Sequence, residues 1–412
     1  MIILDSSNTA AIDRLLVRSA RNNAVVARRA RVIVDDVRRR GDRALRTYAE
    51  RLDGLGRRDA LLMNRREILR GSRGVDRAVA RAIRVAAENI SHVAERELPR
   101  TRVVSPGPGI RIELRVSPLA RVGCYVPGGR HPLISSLLMA AVAARVAGVR
   151  DVVVACPRPV PAILFAARVA GVSQLLRAGG AQAIAALAYG TGTLAGVDKI
   201  VGPGNAYVAA AKALVAPDCA IDFYAGPTEL VVVSDRGNPA WIAADLVAQA
   251  EHDPDARAIL LTPNRALAAE VAIQVLTLAP RFGAARESIA RNGAIVVTRT
   301  IREAAAIASR IAPEHVSCDS PAVAGEIHTA GTIFVGPTSV PALGDYVTGS
   351  NHVLPTAGAA RARGGLSAAD FTRTTTVQRL TRTGARRLRG AGMTLARAEG
   401  LLAHALSIEV RG

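Results

Sequence analysis

The chain has 412 residues, half of them apolar and only 3% aromatic, with a formal net charge of +20. This length exceeds what one hydrophobic core usually holds, so more than one domain is expected. Four cysteines without a CxxC pair exclude a disulfide scaffold and a structural cysteine-zinc knot, and the absence of a long apolar run excludes a helical membrane span.

Residues 11–50 read as helices, with Val32, Ile33, Val37 and Leu45 at helical spacing and a break near Gly41. Residues 71–99 are helical by the same test. Residues 110–116 alternate as a strand, and Pro118 begins a turn. From 121 to about 226 the chain has an α/β rhythm. Strands are predicted at 122–126, 151–155 and 175–176, with helices at 135–146, 161–169 and 181–189. A second unit follows from about 228 to 340, with strands at 230–233, 258–261, 294–297 and 332–335 and helices between them. This alternation predicts two Rossmann-like domains with mostly parallel sheets. Residues 341–365, rich in Gly, Pro, Asn and Thr, read as a long loop of the kind that carries function. Residues 366–412 read as a small helical tail.

The charge is nearly all arginine, since only Lys199 and Lys212 are lysine. The arginines are spread along polar helix faces and are not interleaved with aromatics, so no specific nucleic-acid partner is expected. The first ten residues lack the basic-then-apolar order of a secretory signal, and a reducing cytoplasm is the expected compartment.

Several constellations can carry chemistry. Gln249 and His252 share a face at the end of a predicted helix, which suits either metal ligation or an ordinary C-terminal histidine favoured by the helix dipole. Asp345 and His352 lie in the glycine-rich loop, and Glu399 and His404 lie in the tail. Glu314 and His315 form a carboxylate–imidazole pair suited to proton transfer, or a plain surface pair. No GxGxxG follows a strand. Three other glycine motifs, starting at Tyr125, Gly179 and Gly202, stand where a turn opens a helix. Each is either a phosphate cradle or a tight structural turn.

Eight stretches carry a resemblance. They are VGCYVPGGR (Val122 to Arg130), AGGAQAIAALAYGT (Ala178 to Thr191), VDKIVGPGNAYV (Val197 to Val208) and IDFYAGPTE (Ile221 to Glu229), followed by DLVAQAEHD (Asp245 to Asp253), APEH (Ala312 to His315), GDYVTGSNHVLPT (Gly344 to Thr356) and EGLLAH (Glu399 to His404). In this order, nearly end to end, the chain resembles the histidinol dehydrogenase family.

That resemblance implies a four-electron oxidation of L-histidinol to L-histidine by two NAD+, through an enzyme-held histidinal, as the final step of histidine biosynthesis. It implies one zinc per active site held by Gln249, His252, Asp345 and His404, the last from the partner subunit of a homodimer. Glu314 and His315 match the catalytic pair. Thr228, His352 and Glu399 match substrate-contacting positions beside the metal ligands and His315, and Thr228 keeps the hydroxyl of a more usual serine. Tyr125, Gln182 and Asn205 match cofactor contacts. No cysteine is needed, although Cys124 stands beside Tyr125. The implied division is 1–124 as a helical region with part of a first α/β domain, 125–226 as a second, 227–365 as the remainder of the first, and 366–412 as a tail serving the partner's site. The segment FTRTTTVQRLT (Phe371 to Thr381) is more polar than the family leads one to expect, and His131 follows the PGGR turn at a variable position. A relative acting on another amino alcohol or a diol is the alternative reading.

Overall fold

The computed structural model describes residues 1–16, 24–128, 133–223 and 226–411. Gly129, Arg130, His131, Tyr224 and Ala225, which fall in two of the motifs above or beside them, lie outside the described residues.

Among the described residues, fifteen strands form three sheets. In chain order they are β1 (Ile2–Asp5), β2 (Leu62–Asn64), β3 (Arg102–Gly107), β4 (Ile110–Pro118), β5 (Arg121–Tyr125), β6 (Asp151–Ala155), β7 (Gln174–Leu176) and β8 (Lys199–Val201). The remainder are β9 (Ala220–Ile221), β10 (Glu229–Val233), β11 (Arg257–Thr262), β12 (Ala294–Val297), β13 (His315–Cys318), β14 (Thr332–Val335) and β15 (Thr372–Leu380).

One sheet is wholly parallel, in the order β1-β12-β11-β10-β13-β14. The second, β2-β7-β6-β5-β8-β9, is parallel except for its edge strand β2. Parallel strands buried on both faces need continuous apolar runs, and Leu230–Val233 and Val152–Ala155 supply them. The helix Ile134–Val146 is buried all the way from Ser136 to Ala144. Its many alanines allow it to pack closely against the sheet and the helix Arg77–Glu97 in one core. The two α/β units expected from the sequence are present.

The first 124 residues contribute to all three sheets: β1 joins the first, β2 and most of β5 the second, and β3 with β4 the third. The third sheet, β15-β4-β3, is antiparallel and was not expected. The tail is therefore not simply helical. It opens with the nine-residue strand β15, paired along its whole length with β4, before the helices Arg382–Ala398 and Leu402–Glu409. The polarity of this segment has a plain cause: β15 is an edge strand with most residues exposed, where threonine supplies β-branching without apolar surface.

One further expectation is corrected. Residues 341–365 do not begin as loop, because Pro341–Tyr346 is a short helix with proline in its first turn. His315 follows the helix Ile301–Ile311 and opens strand β13. The helical reading of residues 11–50 is met by Thr9–Leu16, Ala24–Arg40 and Asp42–Tyr48, with Gly41 at φ 53° making the break.

Candidate functional site

The residues singled out in the sequence gather at two places on opposite kinds of strand end. The first is at the amino ends of the β10/β13 sheet. Thr228 and Glu229 open β10, Glu314 and His315 open β13, and Leu230 is in register with His315. The helix Pro239–Ala250 runs back over this sheet and delivers Gln249 in its last turn, with His252 just beyond. Asp345 comes from the helix Pro341–Tyr346, and His352 from the segment after it.

The side chains are close and largely buried. Glu314 is 7% exposed and His315 4%. Glu314 Oε2 accepts from the Thr228 hydroxyl and from Glu229 N at 3.0 Å. Gln249 Nε2 donates to Thr228 Oγ1 at 2.5 Å. The His315 ring lies between two carboxylates, with Nδ1 3.7 Å from Glu314 Oε2 and Nε2 3.7 Å from Asp345 Oδ1. His315 Nδ1 is buried with no hydrogen-bond partner.

Burial sets the protonation states. It pushes Glu314 up to about 7, against the pull of the Thr228 hydroxyl and the Glu229 N–H. It pushes Asp345 up to about 6, with His315 pulling the other way. It lowers His315, opposed by Asp345, and takes His352 down to about 4. The site therefore holds neutral imidazoles beside carboxyls that part easily with, or take up, a proton near neutral pH.

His352 ties this cluster to the other α/β unit. One ring nitrogen, Nδ1, meets the Asp345 carbonyl at 2.7 Å, and the other, Nε2, meets Ser136 Oγ at 3.2 Å. Beside it, Asn351 Nδ2 donates to the Met139 carbonyl at 2.9 Å. Ser136, Asn351 and Glu229 were not singled out from the sequence. For Ser136 a signal existed: it is one of few polar residues in an otherwise apolar helix, and such a residue needs a partner.

The second place is at the carboxyl ends of the β5/β7/β8 strands, where ligands of open parallel sheets normally bind. Tyr125 ends β5, and Gln182 lies in the first turn of the helix Gly180–Tyr189 after β7. Asn205 caps the helix Ala206–Val215 after β8. The Tyr125 hydroxyl accepts from Gly180 N at 3.0 Å, and Gln182 Nε2 donates to Asp53 Oδ2 at 3.0 Å. Asp53 also accepts from Gly179 N at 3.0 Å. Asn205 Oδ1 accepts from Tyr207 N at 3.1 Å and Val208 N at 3.2 Å. At these two helix starts, Gly179 N, Gly180 N, Tyr207 N and Val208 N are thus engaged by side chains of the chain itself. Gly202, at φ 115°, can carry no side chain, because a Cβ there would meet the Tyr125 carbonyl at 2.2 Å.

Glu399 and His404 are exposed on the tail, and among the described residues no hydrogen bond or ion pair joins them to either cluster. Among the described residues, no three His, Cys, Asp or Glu side chains converge to hold a metal. All four cysteines are free and buried. No described helix is long and apolar enough to cross a membrane.

Comparison with known proteins identifies the family. The profile of the histidinol dehydrogenase family matches residues 16–412. A histidinol dehydrogenase of Agrobacterium fabrum is 46% identical over 393 residues, covering 92% of this chain and 91% of that protein. The one from Methanothermobacter thermautotrophicus is 44% identical over 406 residues, covering 93% of this chain and 95% of that protein. The crystal structure of histidinol dehydrogenase from Elizabethkingia anophelis superposes with a TM-score of 0.93 at 32% identity, covering 100% of this chain and 98% of that one. With both the sequence and the fold matched along nearly its whole length, the chain belongs to the histidinol dehydrogenase family of oxidoreductases.

Proposed function

We propose that this chain oxidises L-histidinol to L-histidine in two successive two-electron steps, with zinc and NAD as cofactors, in the cytoplasm, and with each active site shared between two copies of the chain. The observation that carries the reading is the buried meeting of Glu314, His315, Thr228, Gln249 and Asp345 in a member of this family.

The donor set fits zinc. Gln249 spends its Nε2 on Thr228, which leaves the amide oxygen as a ligand atom. Asp345 offers a carboxylate and His252 an imidazole, both familiar zinc donors. His404 of the partner subunit would complete the four, which accounts for its exposed position on the tail. When bound there, zinc supplies a Lewis-acid anchor that orients the substrate's nitrogens. The cofactor residues also fit: Tyr125, Gln182 and Asn205 follow the carboxyl ends of β5, β7 and β8, three strands of one sheet. NAD bound there supplies the electron acceptor for each oxidation.

The chain's own residues do the rest. His315, kept neutral by burial and unpartnered at Nδ1, takes the proton of the alcohol. The aldehyde stays in the closed cluster between His352 and the tail of the second copy, where Glu399 lies in the family's substrate position. Glu314, held by Thr228 and Glu229, orients the water that hydrates the aldehyde. His315 then takes the proton of the hydrate as the acid forms. The direct test is metal content and activity together. His252→Asn is expected to lose both zinc and turnover, whereas His315→Asn keeps zinc and loses turnover by about 10²–10⁴-fold. Full zinc in the first variant, or undiminished turnover in the second, contradicts these roles.

A further inference from the structure

The arginines are spread along the sequence, but the fold gathers many of them around the third sheet. Its strands β3, β4 and β15 and the helix Arg382–Ala398 hold ten arginines, no lysine and one carboxylate, Glu113. These 41 residues carry +9 of the chain's net +20. Side chains alternate along a strand, so the register of β15 with β4 sets Arg379 directly opposite Arg111 on one face. Like charges placed in this way repel. Glu113 lies two residues along on the same face and is engaged by Arg115 at 2.9 Å. Its carboxyl is held low by Arg115, with Arg111 and Arg379 adding to the pull. One carboxylate thus serves three guanidinium groups.

A cleft of about 680 Å³ opens at this end of the sheet, lined by Arg111, Arg379, Ser105 and the turn Gly107-Pro108-Gly109. Arg387, in the second turn of the helix, lies over it: a Cβ on Gly107 would stand 3.7 Å from Arg387 Nε. The cleft shares no residue with either cluster described above. The start of the helix is already capped, since the Thr381 hydroxyl accepts from Gly384 N at 3.2 Å, so the pull on an anion comes from the guanidinium groups. Planar guanidinium groups take phosphate oxygens in pairs. The three strands hold no aromatic residue, which leaves nucleic acid without a stacking platform.

We propose that this cleft binds a short phosphate chain, that of a nucleoside triphosphate or of inorganic triphosphate, through Arg111, Arg379 and Arg387. The bound anion turns the cross-strand repulsion into a bridge between β4, β15 and the helix Arg382–Ala398. It thereby fastens the tail that carries Glu399 and His404 to the rest of the chain.

The test is calorimetric titration of inorganic triphosphate into the zinc-loaded enzyme saturated with NADH, at about 0.1 M ionic strength. Wild type is expected to take one triphosphate per chain, with orthophosphate about tenfold weaker or more. Arg111→Gln and Arg379→Gln should each weaken triphosphate about tenfold or more. Arg373→Gln removes the same charge from the same face of β15, about 20 Å along the strand, and should bind within about twofold of wild type. Melting gives a second readout. Without triphosphate, Arg379→Gln should melt no lower than wild type; with it, wild type should melt higher and the variant should not move. ATP bound more tightly than triphosphate assigns the ligand to nucleotides, and equal binding assigns it to the phosphate chain alone; both uphold the site. The proposal is overturned if wild type binds no triphosphate, if NADH displaces it, or if Arg111→Gln and Arg379→Gln bind it as wild type does. Equal weakening by Arg373→Gln and Arg379→Gln also overturns it, leaving only diffuse surface charge.

Discussion

Gln249 donates its Nε2 to the Thr228 hydroxyl at 2.5 Å, and that hydroxyl donates in turn to Glu314. One threonine therefore orients both the Gln249 amide and the Glu314 carboxylate. Replacing Thr228 by valine keeps the shape and removes both bonds. Zinc affinity and turnover should each fall about 10–100-fold. Serine in the same place should restore both, and metal analysis with steady-state kinetics checks it. A valine variant with normal zinc affinity would show that the bridge is incidental.

Lys212 and Asp222 form an ion pair whose side chains are 3% and 1% exposed. Lys212 Nζ also donates to the Gly202 carbonyl at 3.1 Å, and Asp222 accepts from Gly202 N at 2.8 Å. The chain's only other lysine, Lys199, is bound to Asp370. In a chain that otherwise uses arginine, both lysines offer a compact ammonium to a carboxylate and a backbone carbonyl at once. Lys212→Ala leaves a buried carboxylate without its cation and is expected to cost about 3 kcal/mol in urea unfolding. Because the pair clasps the loop leading to Asn205, NADH binding should weaken too.

Asp245 is half-buried, and burial alone pushes its carboxyl up to about 6. A carboxyl raised on folding favours the folded state most when protonated. Its contribution is therefore fully present below the unfolded value near 3.8 and is lost as pH rises through about 6. Asp245→Asn should thus stabilise the protein at pH 8, by about 1 kcal/mol after allowing for solvent screening. The gain should vanish below about pH 4. Melting curves of the two proteins across this range decide the point.

Burial raises all four thiols, Cys124 up to about 12 and Cys156 and Cys219 up to about 11. None is a nucleophile at neutral pH. A disulfide exchange reagent should find no reactive thiol in the native enzyme and four after unfolding. Cys124→Ala should keep most of the turnover. Loss of activity in that variant, with normal folding, would revive a covalent route through sulfur.

Much of this was legible in the chain, and the exceptions have physical causes. The runs at Leu230–Val233 and Val152–Ala155 announce buried parallel strands because both faces are apolar. Strand β13 escaped because its four residues, His-Val-Ser-Cys, hold little apolar signal, and its partners on both sides define it. Strand β15 escaped because an exposed edge strand lacks alternation. Glu314 and His315 stood out as a pair, but their meeting with Thr228, Gln249 and Asp345 depends on chain crossings that no local pattern reveals. Asp53 had no signal at all. It sits more than a hundred residues before Gln182, and only the fold joins them.

Site sharing has its own test. His404 and Glu314 would belong to different copies within one site, so a His404→Asn chain mixed with a Glu314→Gln chain should regain part of the activity. Verified mixed dimers that stay inactive would contradict sharing.

The central claim is best tested by counting NADH formed per L-histidinol in the zinc-loaded enzyme, with other amino alcohols and diols run alongside. Two NADH for each L-histidinol, with L-histidine as product and loss of activity on zinc chelation, is the expected result. One NADH with released aldehyde, or turnover confined to another alcohol or diol, would contradict it.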